Sequence, residues 1–286
     1  MIDNISTPNS ITQLLSTQNY VADEELATAL FLLLKLQKPI LLEGPPGVGK
    51  TEIALATAKL LDTDLIRLQC YEGLDINSAV YEWNYQKQLL GIKLHEKTSE
   101  SIAEKEKEIF GQDYLLKRPL LQAITHHKSP VLLIDEVDRA DEEFEAFLLE
   151  LLSAFQISIP ELGTIKAVHK PYVILTSNRT RELSDALKRR CLYHWIDYPD
   201  LAKEMEIVHK HLPNIETELL TQVVEFVQNL REKKLNKTPG ISETIDWAES
   251  LQALGFKSLS PEAINQTLGC VLKSVEDILE IKSTFN

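Results

Sequence analysis

The sequence predicts an α/β core, a parallel sheet with helices on both faces, followed by a small all-helical domain. Three observations carry that reading. Five short apolar runs, at Pro39 to Glu43, Leu65 to Gln69, Val131 to Asp135, Tyr172 to Ser177 and Tyr193 to Ile196, are mostly separated by helical patterns, as expected of a parallel sheet. Residues Gly44 to Thr51 read G-P-P-G-V-G-K-T, a full G-x-x-x-x-G-K-[ST] phosphate loop between the first run and a helical pattern from Glu52 to Leu61. After about Pro199 the β-rich runs stop and only helical periodicity remains.

Taken in chain order, Asp23 to Leu36 reads as a helix with acids in its first turn, where the macrodipole favours them. In the phosphate loop, Gly44, Gly47 and Gly49 let the chain curl so that backbone N–H groups face phosphate oxygens, and the helix N-terminus behind them adds positive potential. Gly44, Pro45, Pro46, Gly47, Val48, Gly49, Lys50, Thr51 and Glu52 are therefore the candidate nucleotide-binding residues. Lys50 is expected to reach the β and γ phosphates of ATP, and the Thr51 hydroxyl to ligate magnesium.

The stretch Cys70 to His127 is long for one crossover and predicts an insertion. Within it, Thr98 to Phe110 is almost entirely Glu, Lys and Ser and reads as a solvated, projecting helix. Val131-Leu132-Leu133-Ile134-Asp135-Glu136 has the pattern of a buried strand ending in a magnesium site, with Asp135 holding the metal and Glu136 placed to deprotonate the attacking water. Two acids at a strand end can also cap a helix, a role that suits Asp141 with Glu142 and Glu143. The strand Tyr172 to Ser177 ends in Asn178, which can share a crevice with Lys50 and Glu136 beyond the carboxyl ends of the strands. Asparagine also stands at strand ends for turn reasons alone. The cluster Lys188-Arg189-Arg190 closes a helix, where cations either complement the dipole or serve a neighbouring subunit as an arginine finger.

In the helical region, Leu219, Leu220, Val223, Val224, Val227 and Leu230 mark one helix face. A second helix is predicted from Ser242 to Gly255. A third is predicted from the Ser260-Pro261 start to about Ile281.

Composition narrows the function classes. A 286-residue chain with 44% hydrophobic residues can bury a substantial core. A formal charge of −13 disfavours a sequence-independent nucleic-acid binder, which needs a concentrated cationic surface. The first residues lack the basic start and apolar core of a secretory signal, and the apolar stretch Ala29 to Leu34 is too short to cross a bilayer. A cytoplasmic protein without membrane insertion is expected. Cys70, Cys191 and Cys270 are scattered and odd in number, which predicts reduced packing residues.

The ordered set G-P-P-G-V-G-K-T, L-L-I-D-E-V-D-R-A, I-L-T-S-N and A-L-K-R-R-C resembles an AAA+ ATPase of the MoxR family. The strings Leu68 to Asp75, Tyr81 to Tyr85 and Pro239 to Trp247 look like its CoxD-like branch. The resemblance implies a five-stranded core over residues 1–198, a helical lid over 199–286, a homo-hexameric ring and ATP hydrolysis at each subunit junction. It makes Asn178 the sensor of the γ-phosphate and Arg190, with Arg189 as second candidate, the finger acting in trans. It also implies an insertion at about 70–127, a hairpin at about 157–168, a von Willebrand factor A domain partner and a client metalloenzyme. Tyr81, Trp83 and Tyr85 then become candidates for substrate contact, or for the insertion's own small core. The lid arginine that many such proteins use to sense nucleotide is missing, since Ser242-Glu243-Thr244 stands there, and Lys237 is one candidate to replace it. Asn178-Arg179-Thr180-Arg181 is not the N-K-x-D string that reads guanine, which disfavours GTP. A small-molecule kinase and an ATP-locked assembly module with little turnover are the competing readings.

Overall fold

A computed structural model describes residues 5–95 and 109–283. Five strands form one parallel sheet: β1 (Ile40–Glu43), β2 (Leu65–Gln69), β5 (Val131–Asp135), β8 (Tyr172–Ser177) and β9 (Leu192–Trp195), in the spatial order β2-β5-β8-β1-β9. These are the five apolar runs of the sequence, displaced by at most one residue. The three inner strands are buried along their whole length, which explains why they read as continuous apolar stretches.

Alternation along the strands divides their side chains between two cores. Leu41, Leu132, Ile134, Val173 and Leu175 pack with Phe144, Leu148 and Leu151 of the helix Glu142–Ala154 and with Leu120 and Leu121 of the helix Pro119–Ile124. Ile40, Leu42, Leu133 and Ile174 pack on the opposite face against the helices Pro8–Thr17, Glu24–Leu36 and Lys50–Leu61. Helix starts follow local chemistry: Asp23 Oδ1 accepts the Leu26 N–H at 2.8 Å, and Asp141 Oδ1 accepts the Phe144 N–H at 2.8 Å. The helix Pro8–Thr17 is absent from the sequence expectations; its start is the Thr7–Ser10 capping box with Pro8 in the first turn.

The insertion contains a two-stranded antiparallel ribbon of β3 (Tyr81–Trp83) and β4 (Leu115–Lys117) beside the helix Tyr85–His95. Trp83 is buried in the first core and Tyr81 packs against it, whereas Tyr85 is 65% exposed. Two of the three aromatics thus belong to the core. Most of the charged stretch expected to project as a helix, residues 98–108, lies outside the described residues. A second ribbon, β6 (Gln156–Ile159) with β7 (Gly163–Lys166), occupies the place of the expected hairpin.

A third core, from Val208 to Ile281, is built by helices that follow the sheet. Leu201–His211, Thr217–Arg231 and Ile241–Ala253 pack around the fully buried Trp247, whose Nε1–H donates to Thr267 Oγ1 at 2.7 Å. One expectation is corrected here. The single helix running from Ser260 to about Ile281 is two helices, Pro261–Val271 and Val275–Ser283. Leu272 is extended (φ −104°, ψ 135°) and only 1% exposed, so the chain bends to bury it, and Ser274 Oγ accepts the Asp277 N–H at 3.4 Å at the new start. Among the described residues no helix is long and apolar enough to cross a membrane.

Candidate active site

Because β1, β5 and β8 run parallel side by side, their carboxyl ends share one rim of the sheet and the loops leaving them meet there. The loop after β1 passes close to the end of β9. A Cβ added at Gly44 would stand 2.0 Å from the carbonyl oxygen of Ile196, so any other residue would force the two segments apart. Further along, the loop meets the helical C-terminal region backbone to backbone. A Cβ on Gly240 would lie 2.7 Å from the Gly47 Cα, and the Ile241 N–H donates to the Gly47 carbonyl at 2.9 Å.

Lys50 opens the helix Lys50–Leu61 and its side chain is buried. Its Nζ donates to the carbonyls of Gly44 at 2.8 Å and Pro45 at 2.7 Å. Burial pulls its pKa down to about 8, against the opposing pull of Asp138, Asp135, Glu136 and Glu43. Asp135 ends β5 and is likewise buried; its Oδ1 accepts from Thr51 Oγ1 at 3.1 Å and from Thr176 Oγ1. Its Oδ2 pairs with the guanidinium of Arg67 from the adjacent edge strand β2, with Nε at 3.1 Å.

Glu136 follows in the left-handed region, φ 53° and ψ 49°, a conformation that costs a non-glycine residue about 1 kcal/mol or more. Its N–H donates to Thr176 Oγ1 at 2.9 Å, and its carboxylate meets Arg139 Nε at 2.9 Å. Asn178 leaves β8, and its N–H donates to Asp138 Oδ2 at 3.2 Å. Lys50, Thr51, Asp135, Glu136 and Asn178 thereby line a single open cavity, to which Ser242 of the helical C-terminal region also contributes.

The basic cluster stands elsewhere. Arg189 and Arg190 are exposed on the helix Asp185–Arg190 and neither lines that cavity. Arg190 is oriented by its Nε, which donates to Ser153 Oγ at 2.6 Å, while Arg189 has no hydrogen bond or ion pair among the described residues.

Several residues of the site carry no role in the sequence reading. Arg67 could have been noticed as a lone charge inside the apolar run Leu65 to Leu68, and Asp138 as the third acid of D-E-V-D. A second cavity adjoins the phosphate loop, walled by Tyr20, Val21, Val48, Ile207, Ile241 and Ile245. It draws on four segments distant in sequence, and no local pattern announces it. The Cys70 and Cys191 thiols are buried and pushed up to about 12, which keeps them protonated and poorly nucleophilic at neutral pH.

Fold and site together define a phosphate-loop ATPase core of the AAA+ class. Residues 39–191 match the model of the AAA domain, dynein-related subfamily, over more than half of the chain. Uncharacterised proteins of Staphylococcus aureus, among them those of strains COL and MW2, are 31% identical over 228 residues, which is 78% of this chain and 77% of each of theirs. A mutant of RuvB from Thermotoga maritima shares the fold with a TM-score of 0.53 at 17% identity, covering 88% of this chain and 71% of that one. The chain belongs to the AAA domain family, dynein-related subfamily.

Proposed function

We propose that this protein is a magnesium-dependent ATPase of the MoxR type, in its CoxD-like branch, that works as a ring and remodels a partner protein. One observation carries the reading: the phosphate-loop Lys50 and Thr51, the strand-end Asp135 and Glu136, and Asn178 face a single cavity. The donor set suits magnesium. Thr51 and Asp135 present hard oxygens side by side, 3.1 Å apart, and among the described residues no three His, Cys, Asp or Glu are grouped to hold a metal alone. Thr51 and Asp135 would hold the ion together with phosphate and water oxygens, and bound magnesium would neutralise charge on the β and γ phosphates.

The chain's own groups do the rest. The loop Gly44 to Gly49 cradles the phosphates, Lys50 exchanges its two carbonyl partners for phosphate oxygens, and the apolar cavity beside Tyr20 and Ile241 takes the adenine. Glu136 accepts the proton of a water whose oxygen bonds to the γ-phosphorus as the bond to the β-phosphate oxygen breaks, giving ADP and phosphate. Asn178 orients that water or the γ-phosphate. Arg190, or Arg189 beside it, supplies positive charge to the pocket of the neighbouring subunit.

The division into a core over 1–198 and a lid over 199–286 gives the ring its moving part, with Gly47 and Gly240 as the contact that nucleotide would sense. A cytoplasmic homo-hexamer acting with a von Willebrand factor A domain protein on a client metalloenzyme is the setting that the MoxR and CoxD resemblance supports. Substitution Glu136→Gln tests the chemistry. The variant is expected to bind ATP and to assemble while hydrolysing at background rate; normal turnover would remove Glu136 from the role of base. Capture of partners by the same variant in the presence of ATP identifies the client.

A further inference from the structure

We infer that Asp138 is a positioning residue that fixes Asn178 relative to Glu136, and so sets the turnover rate without touching nucleotide. The inference rests on the ATPase reading of the cavity. Asp138 lies in the 3-10 turn Val137–Arg139 that follows Glu136, and it is 2% exposed. One carboxylate oxygen, Oδ2, accepts three donors from the loop after β8: the Asn178 N–H at 3.2 Å, the Thr180 N–H at 2.8 Å and the Thr180 hydroxyl at 2.7 Å. Between those two residues Arg179 takes a left-handed conformation, φ 57°, and donates its N–H to Ser177 Oγ at 3.1 Å. The loop is thus a tight turn wound around one anionic oxygen. That turn decides where the Asn178 side chain points.

The same 3-10 turn also begins at Glu136, whose N–H is held by Thr176 of β8. Asp138 and Thr176 are therefore two tethers between the segment carrying Glu136 and the strand and loop carrying Asn178. Thr176 fixes the separation at the strand end, and Asp138 fixes it one turn further out. A burial this complete is costly for a carboxylate unless donors satisfy it. The three donors on Oδ2 do so, while Oδ1 has no hydrogen-bond partner among the described residues. Its three donors hold the turn after β8 in a geometry that alanine could not anchor.

The experiment is a double-mutant cycle on steady-state ATP turnover, with nucleotide binding measured separately on the same full-length proteins. Asp138→Ala is expected to lower kcat about 10- to 100-fold while ATP binding changes less than about 3-fold, because the lost contacts lie behind Asn178 and not on the phosphates. Asp138→Asn is expected to recover most of the rate, since the amide oxygen keeps an acceptor facing the Asn178 and Thr180 donors. In the double variant with Asn178→Ala, the Asp138→Ala effect is expected to vanish, because both changes remove one function. Full additivity of the two would overturn the inference, as would normal kcat in Asp138→Ala. Thr180→Val, which removes a single donor, keeps the question open to measurement if Asp138→Ala does not fold: a fall in kcat with unchanged binding supports the inference, and no fall opposes it. Impaired Asn178→Ala beside unimpaired Asp138→Ala sinks this inference alone. Normal turnover in Asn178→Ala sinks it together with the assignment of Asn178 in the cavity.

Discussion

Lys50 is buried, donating to the carbonyls of Gly44 and Pro45, and burial weakens its hold on a proton. At a pKa of about 8 the free protein begins to lose the Lys50 charge just above neutrality, whereas a bound triphosphate needs the ammonium form. Nucleotide binding is therefore expected to take up a proton, from little at pH 7 to about one per site at pH 9, which calorimetry in buffers of different ionisation enthalpy will read. The sign for stability follows the same shift. The unfolded chain keeps the Lys50 proton up to the ordinary lysine value of 10.5, so between about 8 and 10.5 this group makes the folded state more stable as pH rises. Gly240 gives a second residue-level test. With 2.7 Å between a Cβ at Gly240 and the Gly47 Cα, Gly240→Ala is expected to push the lid off the phosphate loop and weaken ATP binding at least about tenfold, while the isolated lid core around Trp247 is untouched. An unchanged Kd in that variant would mean that the close contact is irrelevant to nucleotide.

Elements differ in how much of themselves the sequence displays. β1, β5 and β8 are legible because burial on both faces writes an unbroken apolar run, and the helix Thr217–Arg231 because its single buried face writes a 3.6-residue period. The phosphate loop and the pair Asp135 and Glu136 are legible because the chemistry demands residue types at fixed spacing. The break at Leu272 leaves no such trace. Val271, Leu272, Val275 and Ile278 continue a helical i, i+3 or i+4 pattern, and the tertiary need to bury Leu272 and to deliver Asp277 to another loop ends the first helix. Asp277 is 1% exposed and holds the turn before the helix Ile241–Ala253: Oδ1 accepts the Asn236 N–H at 3.0 Å, and Oδ2 the Lys237 N–H at 3.1 Å. Replacement Asp277→Ala leaves two backbone donors without their acceptor, so a loss of about 1–3 kcal/mol in unfolding free energy is expected. Denaturant unfolding checks it; a change below about 0.5 kcal/mol would show that water satisfies that turn equally well. The adenine-sized cavity was illegible for a related reason, since its walls come from the stretch around Tyr20, from the phosphate loop and from two lid helices.

At the scale of the whole molecule, the cavity and the basic helix end face different surroundings. Lys50, Asp135, Glu136 and Asn178 line one cavity, with Arg67 held on Asp135 and Arg139 on Glu136, whereas Arg189 and Arg190 are exposed and outside it. A ring in which each pocket borrows arginine from its neighbour resolves this, and it makes a quantitative demand on mixtures. Lys50→Ala should abolish binding in its own pocket yet still offer Arg190, whereas Arg190→Ala should bind ATP yet offer no finger. In an equal mixture about one junction in four joins an intact pocket to an intact arginine, so turnover is expected to recover to about a quarter of the unmodified rate if junctions act independently. Arg189→Ala in place of Arg190→Ala distinguishes the two candidates: Arg190 is anchored on Ser153, so its loss is expected to be the more severe. Activity retained when Arg189 and Arg190 are both replaced by Ala would count against a trans arginine from this cluster, and inactive mixtures of two assembling variants would deny exchange of side chains across junctions. Both results together would favour catalysis within one subunit and direct attention to the contact between Gly47 and Gly240 as a route from nucleotide to motion.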